Sequence, residues 1–290
     1  NVPLFQDIMK YTTLKVGHFE VNYGDFHYRR SDNGQAIYNP FVGNAIMDAF
    51  TTEVGAEAVV QRNGFLAVAA ITNGEIRGQL ARPADRLKLG YDRQLSDDLR
   101  VRLTGSWRSQ KSAISNTLYS GDRAGSRYYF VLENYVATEA AQKSSGMIDP
   151  GFGDENVSLM VNPFLKYRGL EVFGMYEKAS GRKSTETATR EVTQTMAEVV
   201  YRFLPGQKAY VGARVNTVAG DLGITGTGPT LQDNSDISTR RLNIGGGWFL
   251  TPSILMKAEY VTQTFDGFAR RDIRSGGKFN GFMLEAVTSW

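Results

Sequence analysis

Polarity alternates from residue to residue along much of this 290-residue chain, and this feature limits its fold more than any other. In one representative stretch, Leu99, Val101 and Leu103 alternate with Arg100 and Arg102. Successive side chains of a strand point to opposite faces of its sheet, whereas a helix of this sequence would scatter the arginines around its surface. The alternation therefore predicts an all-β protein.

About twelve strands are predicted from runs of this kind that are closed by turn residues. Their approximate ranges are 11–21, 51–62, 65–72, 84–94, 99–110, 157–168, 170–180, 192–204, 208–218, 239–250, 253–265 and 279–290. Short connections such as Asn63-Gly64 alternate with long ones, of which 22–50 and 111–156 are the longest. The stretch 126–135 could itself be a strand, but it is assigned to the long loop because one added strand would break the alternation.

Composition argues against several other classes of protein. The best apolar run, 65–71, is far shorter than the roughly 20 residues that a membrane-spanning helix needs. With no cysteine and two histidines, the chain has neither disulfides nor thiolate metal sites, and no metal or cofactor is expected. The 33 basic and 30 acidic residues are dispersed, which argues against nucleic acid as a partner.

The sorting of short and long connections is typical of outer-membrane β-barrels, which have tight periplasmic turns and long extracellular loops. Backbone groups in lipid must all be paired, so such a sheet has to close on itself. The chain is therefore predicted to form a single closed antiparallel barrel over 1–290 in the bacterial outer membrane. Residues 1–10 are a candidate N-terminal segment or plug. Because no signal peptide is visible, the chain is expected to be a mature protein or part of a longer one.

The last predicted strand carries Phe282 and Leu284 on one face and ends at Trp290. An alternating C-terminal strand that ends in an aromatic residue resembles the signal by which the barrel-assembly machinery recognises its clients. The other partners expected from the barrel prediction are outer-membrane lipid and lipopolysaccharide, and either a homotrimer or a larger envelope complex.

The polar face of each predicted strand would line the interior of the barrel. The predicted pore-lining residues are Lys15, Arg86, Lys88, Arg100, Arg102, Arg108, Lys166, Lys208, Arg214, Arg241, Lys257, Glu53 and Glu57. Basic residues outnumber acidic ones on this face, and fixed positive charge attracts anions, so a weak anion preference is expected. The alternative is that these cations pair with carboxylates on neighbouring strands and stiffen the wall.

Two long loops are candidates for a constriction that folds inward. The loop 111–156 offers Arg123, Arg127, Tyr129 and Glu133, and the loop 22–50 is the second candidate. Either loop could instead form an extracellular flap.

Several blocks resemble the porin O/P-like barrels, a group that includes the phosphate-selective porins of Bacteroidota. These blocks are Val16-Gly17-His18-Phe19, Tyr23-Gly24-Asp25, Asn39-Pro40-Phe41, Gly121-Asp122-Arg123, Asn162-Pro163-Phe164 and Gly169-Leu170-Glu171. The resemblance implies a general or anion-preferring diffusion channel, with a trimer as one oligomeric state to expect. Members usually have about sixteen strands, so either this barrel is smaller or further strands lie upstream.

Three other hypotheses are weighed against the channel. A plugged accessory barrel in an envelope complex would have the same strands. An outer-membrane phospholipase would need a Ser–His pair, for which His27 and Ser31 are the candidates, but their spacing differs from the His-x-Ser-Asn-Gly run of that family. A soluble β-sandwich could share the alternation, although it has no reason to sort its connections by length. No enzyme activity is expected.

Overall fold

One antiparallel sheet of twelve strands dominates the computed structural model of the chain. The structure describes residues 9–31, 35–73, 82–111, 116–119, 128, 130–135, 137–225 and 230–289. The sheet comprises β1 (Thr12–Glu20), β2 (Thr52–Arg62), β3 (Phe65–Thr72), β4 (Ala84–Gln94), β5 (Leu99–Gln110), β6 (Glu155–Tyr167), β7 (Leu170–Arg182), β8 (Arg190–Phe203), β9 (Ala209–Gly220), β12 (Ile237–Thr251), β13 (Ile254–Asp266) and β14 (Lys278–Thr288). All twelve predicted strands are confirmed, with ends shifted by a few residues.

A short hairpin, β10 (Ile224–Thr225) and β11 (Gln232–Asp233), forms a second sheet inside the connection between β9 and β12. Within the large sheet, each strand pairs with the next strand of that sheet along the chain. Because the hairpin belongs to the second sheet, β9 pairs with β12. The first and last strands of the large sheet, β1 and β14, are each hydrogen-bonded to one neighbour, β2 and β13. Among the described residues, no helix is long and apolar enough to cross a membrane.

The predicted sorting of connections is confirmed. At one end of the sheet, hereafter the short-turn end, strands are joined by tight turns such as Asn63-Gly64. Both residues have positive φ, 53° and 88°, as a type I′ hairpin requires. At the other end, the long-loop end, the connections include 21–51 and 111–154. Tyr128 and the described residues of 130–135 lie in none of the strands, in agreement with their assignment to a loop.

The two faces of the sheet differ sharply in chemistry. One face, hereafter the apolar face, exposes large aliphatic and aromatic side chains, including Val16, Leu89 and Trp248, whose exposed fractions are 85%, 66% and 56%. A soluble sandwich would place polar residues on its solvent side, whereas a sheet surrounded by lipid places apolar ones there. The soluble β-sandwich hypothesis is therefore a poor match to this structure.

The opposite face, hereafter the polar face, carries charged and amide side chains, most of which are almost fully buried. Segments from the long loops cover it, and apolar residues of the loops form a core with the few apolar residues of this face. Ile46 and Met47 of the first long loop, for example, pack in the same cluster as Met160 and Met196. The interior of the fold is therefore a mixture of loop backbone, ion pairs and a small apolar core.

Candidate functional site

The first long loop runs across the polar face and contacts widely separated strands. We call residues 21–50 the inner loop; its described residues are 21–31 and 35–50. Its first anchor is Asp25, whose carboxylate accepts two hydrogen bonds from Arg102, at 2.7 and 2.8 Å, and pairs with Lys88 at 2.9 Å. The Asp25 backbone N–H donates to Asn162 Oδ1 at 2.9 Å. This anchor attaches the loop to β4, β5 and β6.

The second anchor of the inner loop lies on β9 and β13. Arg214 donates to the carbonyl of Gly43 and to Asn39 Oδ1, both at 2.9 Å, while its guanidinium also pairs with Glu198. Lys257 donates to the carbonyl oxygens of Asn39 and Phe41 at 3.2 Å. A cation that binds backbone carbonyls satisfies polar groups that the loop would otherwise bury without partners.

Amide side chains provide a third anchor. The backbone N–H of Ile46 donates to Asn216 Oδ1 at 2.7 Å, and that of Met47 donates to Gln194 Oε1 at 3.0 Å. The inner loop is therefore attached on both sides of the polar face, first to β4–β6 and then to β8, β9 and β13. The predicted pore-lining residues did not include Asn162, Gln194 or Asn216, although their position in phase with the charged residues of their strands could have indicated them.

Most predicted pore-lining residues lie on the polar face and have partners there. Arg86 and Arg108 share the carboxylate of Glu53, at 2.9 and 2.7 Å, and Lys15 pairs with Glu57 at 2.9 Å. Eight predicted residues are at most 2% exposed: Glu53, Glu57, Arg86, Lys88, Arg108, Arg214, Arg241 and Lys257. The alternative in which the cations pair and stiffen the wall thus describes these contacts well.

The remaining predicted residues lie towards the short-turn end and are more exposed. Arg100 forms a two-point ion pair with Asp92, at 2.9 and 2.7 Å, and its side chain is 46% exposed. Lys166 pairs with Glu171 at 3.1 Å. Lys208 is exposed in the connection between β8 and β9.

A cavity of about 660 Å³ opens at the short-turn end of the polar face, and we call it the vestibule. Its basic lining consists of Lys15, Arg29, Arg100, Arg102 and Arg202, and its acidic lining consists of Asp25 and Glu171. Aromatic side chains, among them Tyr28, Tyr38 and Phe164, complete the walls. The inner loop supplies Asp25, Tyr28, Arg29 and Tyr38, so it forms one wall of the cavity.

Two titratable groups of the inner loop have shifted pKa values. Burial raises the pKa of Asp25, but the hydrogen bonds from Arg102 and the charge of Lys88 outweigh burial and hold that pKa well below its usual range. Burial lowers the pKa of His27, and the hydrogen bond to Glu20 only partly offsets this effect. At neutral pH the loop therefore carries an ionised Asp25 and an uncharged His27.

The second candidate constriction, loop 111–156, also reaches the polar face. The hydroxyl of Tyr128 donates to Glu259 Oε1 and accepts a hydrogen bond from Asn243 at 2.9 Å. Glu133, the other described residue of the predicted constriction, is exposed. Arg123, Arg127 and Tyr129 lie outside the described residues, as do residues 1–8 of the candidate plug and Trp290.

The geometry gives no support to a Ser–His pair. The hydroxyl of Ser31 donates to the carbonyl of Val42 and accepts from Asn39 Nδ2 at 2.9 Å. The two ring nitrogens of His27 are bonded to Glu20 and to Asn22, at 2.7 and 3.3 Å. The described part of the chain holds no group of three or more His, Cys, Asp or Glu side chains that could bind a metal ion.

Comparison with known proteins supports the fold. No protein-family model and no curated protein matches the sequence. The solved structure of OmpT, an outer membrane protein of Vibrio cholerae, matches with 13% identity and a TM-score of 0.56, over 96% of this chain and 76% of that one. An anion-selective porin from Comamonas acidovorans matches with 9% identity and a TM-score of 0.57, over 96% of this chain and 74% of that one. The chain therefore has the fold of bacterial outer-membrane β-barrel proteins.

Proposed function

We propose that this chain is a channel of the bacterial outer membrane for the passive diffusion of small hydrophilic solutes, with a weak preference for anions. The observation that carries the proposal is the vestibule, a polar and largely basic cavity. It lies on the polar face of the sheet, whose other face is apolar and exposed. A water-accessible interior within a lipid-facing wall is what a diffusion channel needs.

The anion preference is inferred from the charges that face the vestibule. Asp25 and Glu171 each contact two cations, which neutralise them: Lys88 and Arg102 for Asp25, and Lys166 and Arg202 for Glu171. Among the basic residues of the vestibule lining, Lys15 and Arg100 are about half-exposed, at 47% and 46% of their side chains. Each is paired with a single carboxylate, Glu57 and Asp92 respectively, which is less exposed than the cation. Positive charge at a narrow entrance raises the local concentration of anions and lowers that of cations. The neighbour from Comamonas acidovorans, described as anion-selective, is in line with this proposal.

We also propose that the sheet closes into a barrel in the membrane. Strands β1 and β14 run antiparallel, so they can be joined directly or through an even number of further strands. Membership of the porin O/P-like group, contacts with lipopolysaccharide, recognition of the C-terminal strand by the barrel-assembly machinery and a homotrimeric state are parts of the same proposal. They rest on the sequence patterns described above.

The experiment that tests the channel is a recording in a planar lipid bilayer across a KCl gradient. Stepwise conductance with a reversal potential that favours Cl⁻ is expected. Replacing both exposed vestibule cations, in Lys15→Gln with Arg100→Gln, should move the reversal potential towards that of a non-selective pore. Lys178→Gln is the matched control, because Lys178 pairs with Glu191 on the exposed face of the sheet, away from the vestibule.

A second candidate function is a plugged accessory barrel in an envelope complex. It is favoured by the inner loop, which is attached to strands on both sides of the polar face, and by the burial of eight predicted pore-lining residues. Folded protein that gives no conductance, both as wild type and after the inner loop is released, would favour this second function over the first.

A further inference from the structure

A row of polar side chains crosses the outer surface of five neighbouring strands near the long-loop end. In the register of β8, β9, β12, β13 and β14, this outer polar row consists of Thr195, Thr217, Arg240, Thr264 and Lys278. It lies on the apolar face, because Arg240 is in phase with Ile244 and Lys278 is in phase with Phe282, and both apolar residues are exposed. Paired strands are about 4.8 Å apart, so the Cα atoms of the two cations, on either side of Thr264, are about 10 Å apart.

The two cations of the outer polar row are exposed, and neither has an ion-pair partner among the residues that the structure describes. The cation of β7 on the same face differs in this respect, since Lys178 pairs with Glu191 at 2.9 Å. Asp266 is the carboxylate of β13 on this face, two positions beyond Thr264. It can balance one of the two positive charges at most, so the row keeps an excess of positive charge.

An apolar groove of about 660 Å³ lies on the same five strands, further towards the short-turn end. Two consecutive rows of outward residues line it: Val199, Ala213, Ile244, Tyr260 and Phe282, and then Tyr201, Val211, Gly246 and Ala258. The rings of Tyr260 and Phe282 pack against each other with centroids 5.2 Å apart and form one side of the groove. The small residues Ala213, Gly246 and Ala258 form its floor.

The groove and the outer polar row are aligned along the strands. Phe282 lies four positions from Lys278, and Ile244 lies four positions from Arg240. At about 3.3 Å per residue, the separation is roughly 13 Å along a strand. The apolar band of an outer-membrane barrel is about 25 Å tall, so this separation is about the depth of one leaflet. A ligand that occupies both places therefore has an anionic head and an apolar chain that reaches into its own leaflet.

Charge and position together select the class of lipid. The cations Arg240 and Lys278 suit a phosphate group, which offers several oxygen atoms to charged donors, and the threonine hydroxyls beside them can bind further oxygen atoms. The long connections of outer-membrane barrels are extracellular, so a lipid headgroup at the long-loop end belongs to the outer leaflet.

We propose that the outer polar row and the groove form a binding site for a phosphorylated, acylated glycolipid of the outer leaflet, of the lipopolysaccharide type. Its phosphate would contact Arg240 and Lys278, and one acyl chain would lie in the groove over Ala213, Gly246 and Ala258. This inference rests on the barrel orientation and the lipopolysaccharide contacts of the proposed function. It does not depend on conductance, so a plugged barrel would bind the glycolipid as well as an open channel would.

The test is native mass spectrometry of the folded, detergent-solubilised full chain with purified bisphosphorylated lipid A. Retention of lipid A by the wild type is expected, and Arg240→Gln with Lys278→Gln should lower the bound fraction at least about fivefold, since both charged donors are lost. Ala213→Phe, which fills the floor of the groove, should also lower it. Two controls should bind like wild type. Lys178→Gln removes a cation that is already paired, and Ala67→Phe adds the same ring opposite Leu89 on β3, outside the groove.

Lipid A without its phosphates gives a measurement on the wild type that does not depend on how the variants fold. It should bind at least about tenfold more weakly than bisphosphorylated lipid A. Phosphatidylglycerol, an anionic phospholipid, should also bind more weakly. Equal binding of lipid A with and without phosphates, phosphatidylglycerol bound as tightly as lipid A, or a double variant that binds like wild type would each overturn the proposal. Stepwise conductance without lipid A binding would reject this site and leave the channel function intact.

Discussion

Arg102 donates two hydrogen bonds to Asp25, at 2.7 and 2.8 Å, and thereby joins β5 to a loop residue that lies 77 positions earlier in the chain. The same carboxylate pairs with Lys88 of β4 and accepts a hydrogen bond from Thr104 of β5 at 2.9 Å. The Asp25 side chain thus attaches the inner loop to both β4 and β5 on this side of the sheet. If the protein is a channel, the strength of this contact controls how open it is.

Asp25→Asn is expected to release the first part of the inner loop and to increase single-channel conductance or its fluctuations. Removing one partner of a buried ion pair costs roughly 3–5 kcal/mol, because the remaining charge is left uncompensated. The released cations Lys88 and Arg102 should also increase selectivity for Cl⁻. Asp98→Asn, which affects an exposed pair with Arg168 at a short turn, should leave both quantities unchanged. Wild-type conductance in Asp25→Asn would show that the loop does not limit the pore.

Arg214→Gln is expected to destabilise the folded protein by roughly 3–5 kcal/mol, since Glu198 would stay buried with less charge compensation and the Gly43 carbonyl would lose a donor. Lys178→Gln removes a pair that is exposed on both sides and should leave the unfolding midpoint close to that of the wild type. Urea-induced unfolding in lipid vesicles, followed by tryptophan fluorescence, measures the difference. Equal midpoints for the two variants would contradict the anchoring role of Arg214.

Leu89→Arg tests whether the apolar face lies in lipid. Leu89 lies inside β4 and is 66% exposed, and a charged residue at mid-membrane on the lipid face of a barrel costs roughly 2–4 kcal/mol. Leu95→Arg is the matched control, because Leu95 is also exposed but lies in a short turn, where the cost falls to about 0–1 kcal/mol. If both variants insert into vesicles equally well, the apolar face is not surrounded by lipid.

Acidification is expected to loosen the inner loop through His27. Burial lowers the pKa of His27 in the docked state, whereas a released histidine titrates near 6.5. Below about pH 6.5 the released state therefore binds more protons, and docking loses stability as the pH falls. Asp25, whose pKa lies far lower, keeps its charge over this range and does not contribute.

Limited proteolysis of the loop at pH 7.5, 6.0 and 5.0 measures this dependence, with faster cleavage expected at lower pH. His27→Gln should flatten the response, because glutamine keeps hydrogen-bonding groups for Glu20 and Asn22 but does not titrate. Cleavage that accelerates equally in wild type and variant would assign the effect to another group.

The strands could be predicted from the sequence because the signal for a strand is local. A side-chain period of two, as in Leu99 to Arg102, determines which residues share a face, and a turn pair such as Asn63-Gly64 determines where a hairpin reverses. With these signals the order of the twelve strands follows almost completely, since each strand pairs with the next one along the chain.

The partners of the charged residues were decided by the tertiary structure. Arg241 was predicted to line a pore, yet it donates to the carbonyl oxygens of Asn44 and Gly146, which lie 197 and 95 positions away. Alternation shows that Arg241 points inward, but it does not show which loop covers it. Which loop covers Arg241 depends on contacts between segments that are distant in the chain. These contacts exist only once the sheet has brought β4–β6 and the strands β8, β9, β12 and β13 around the same interior.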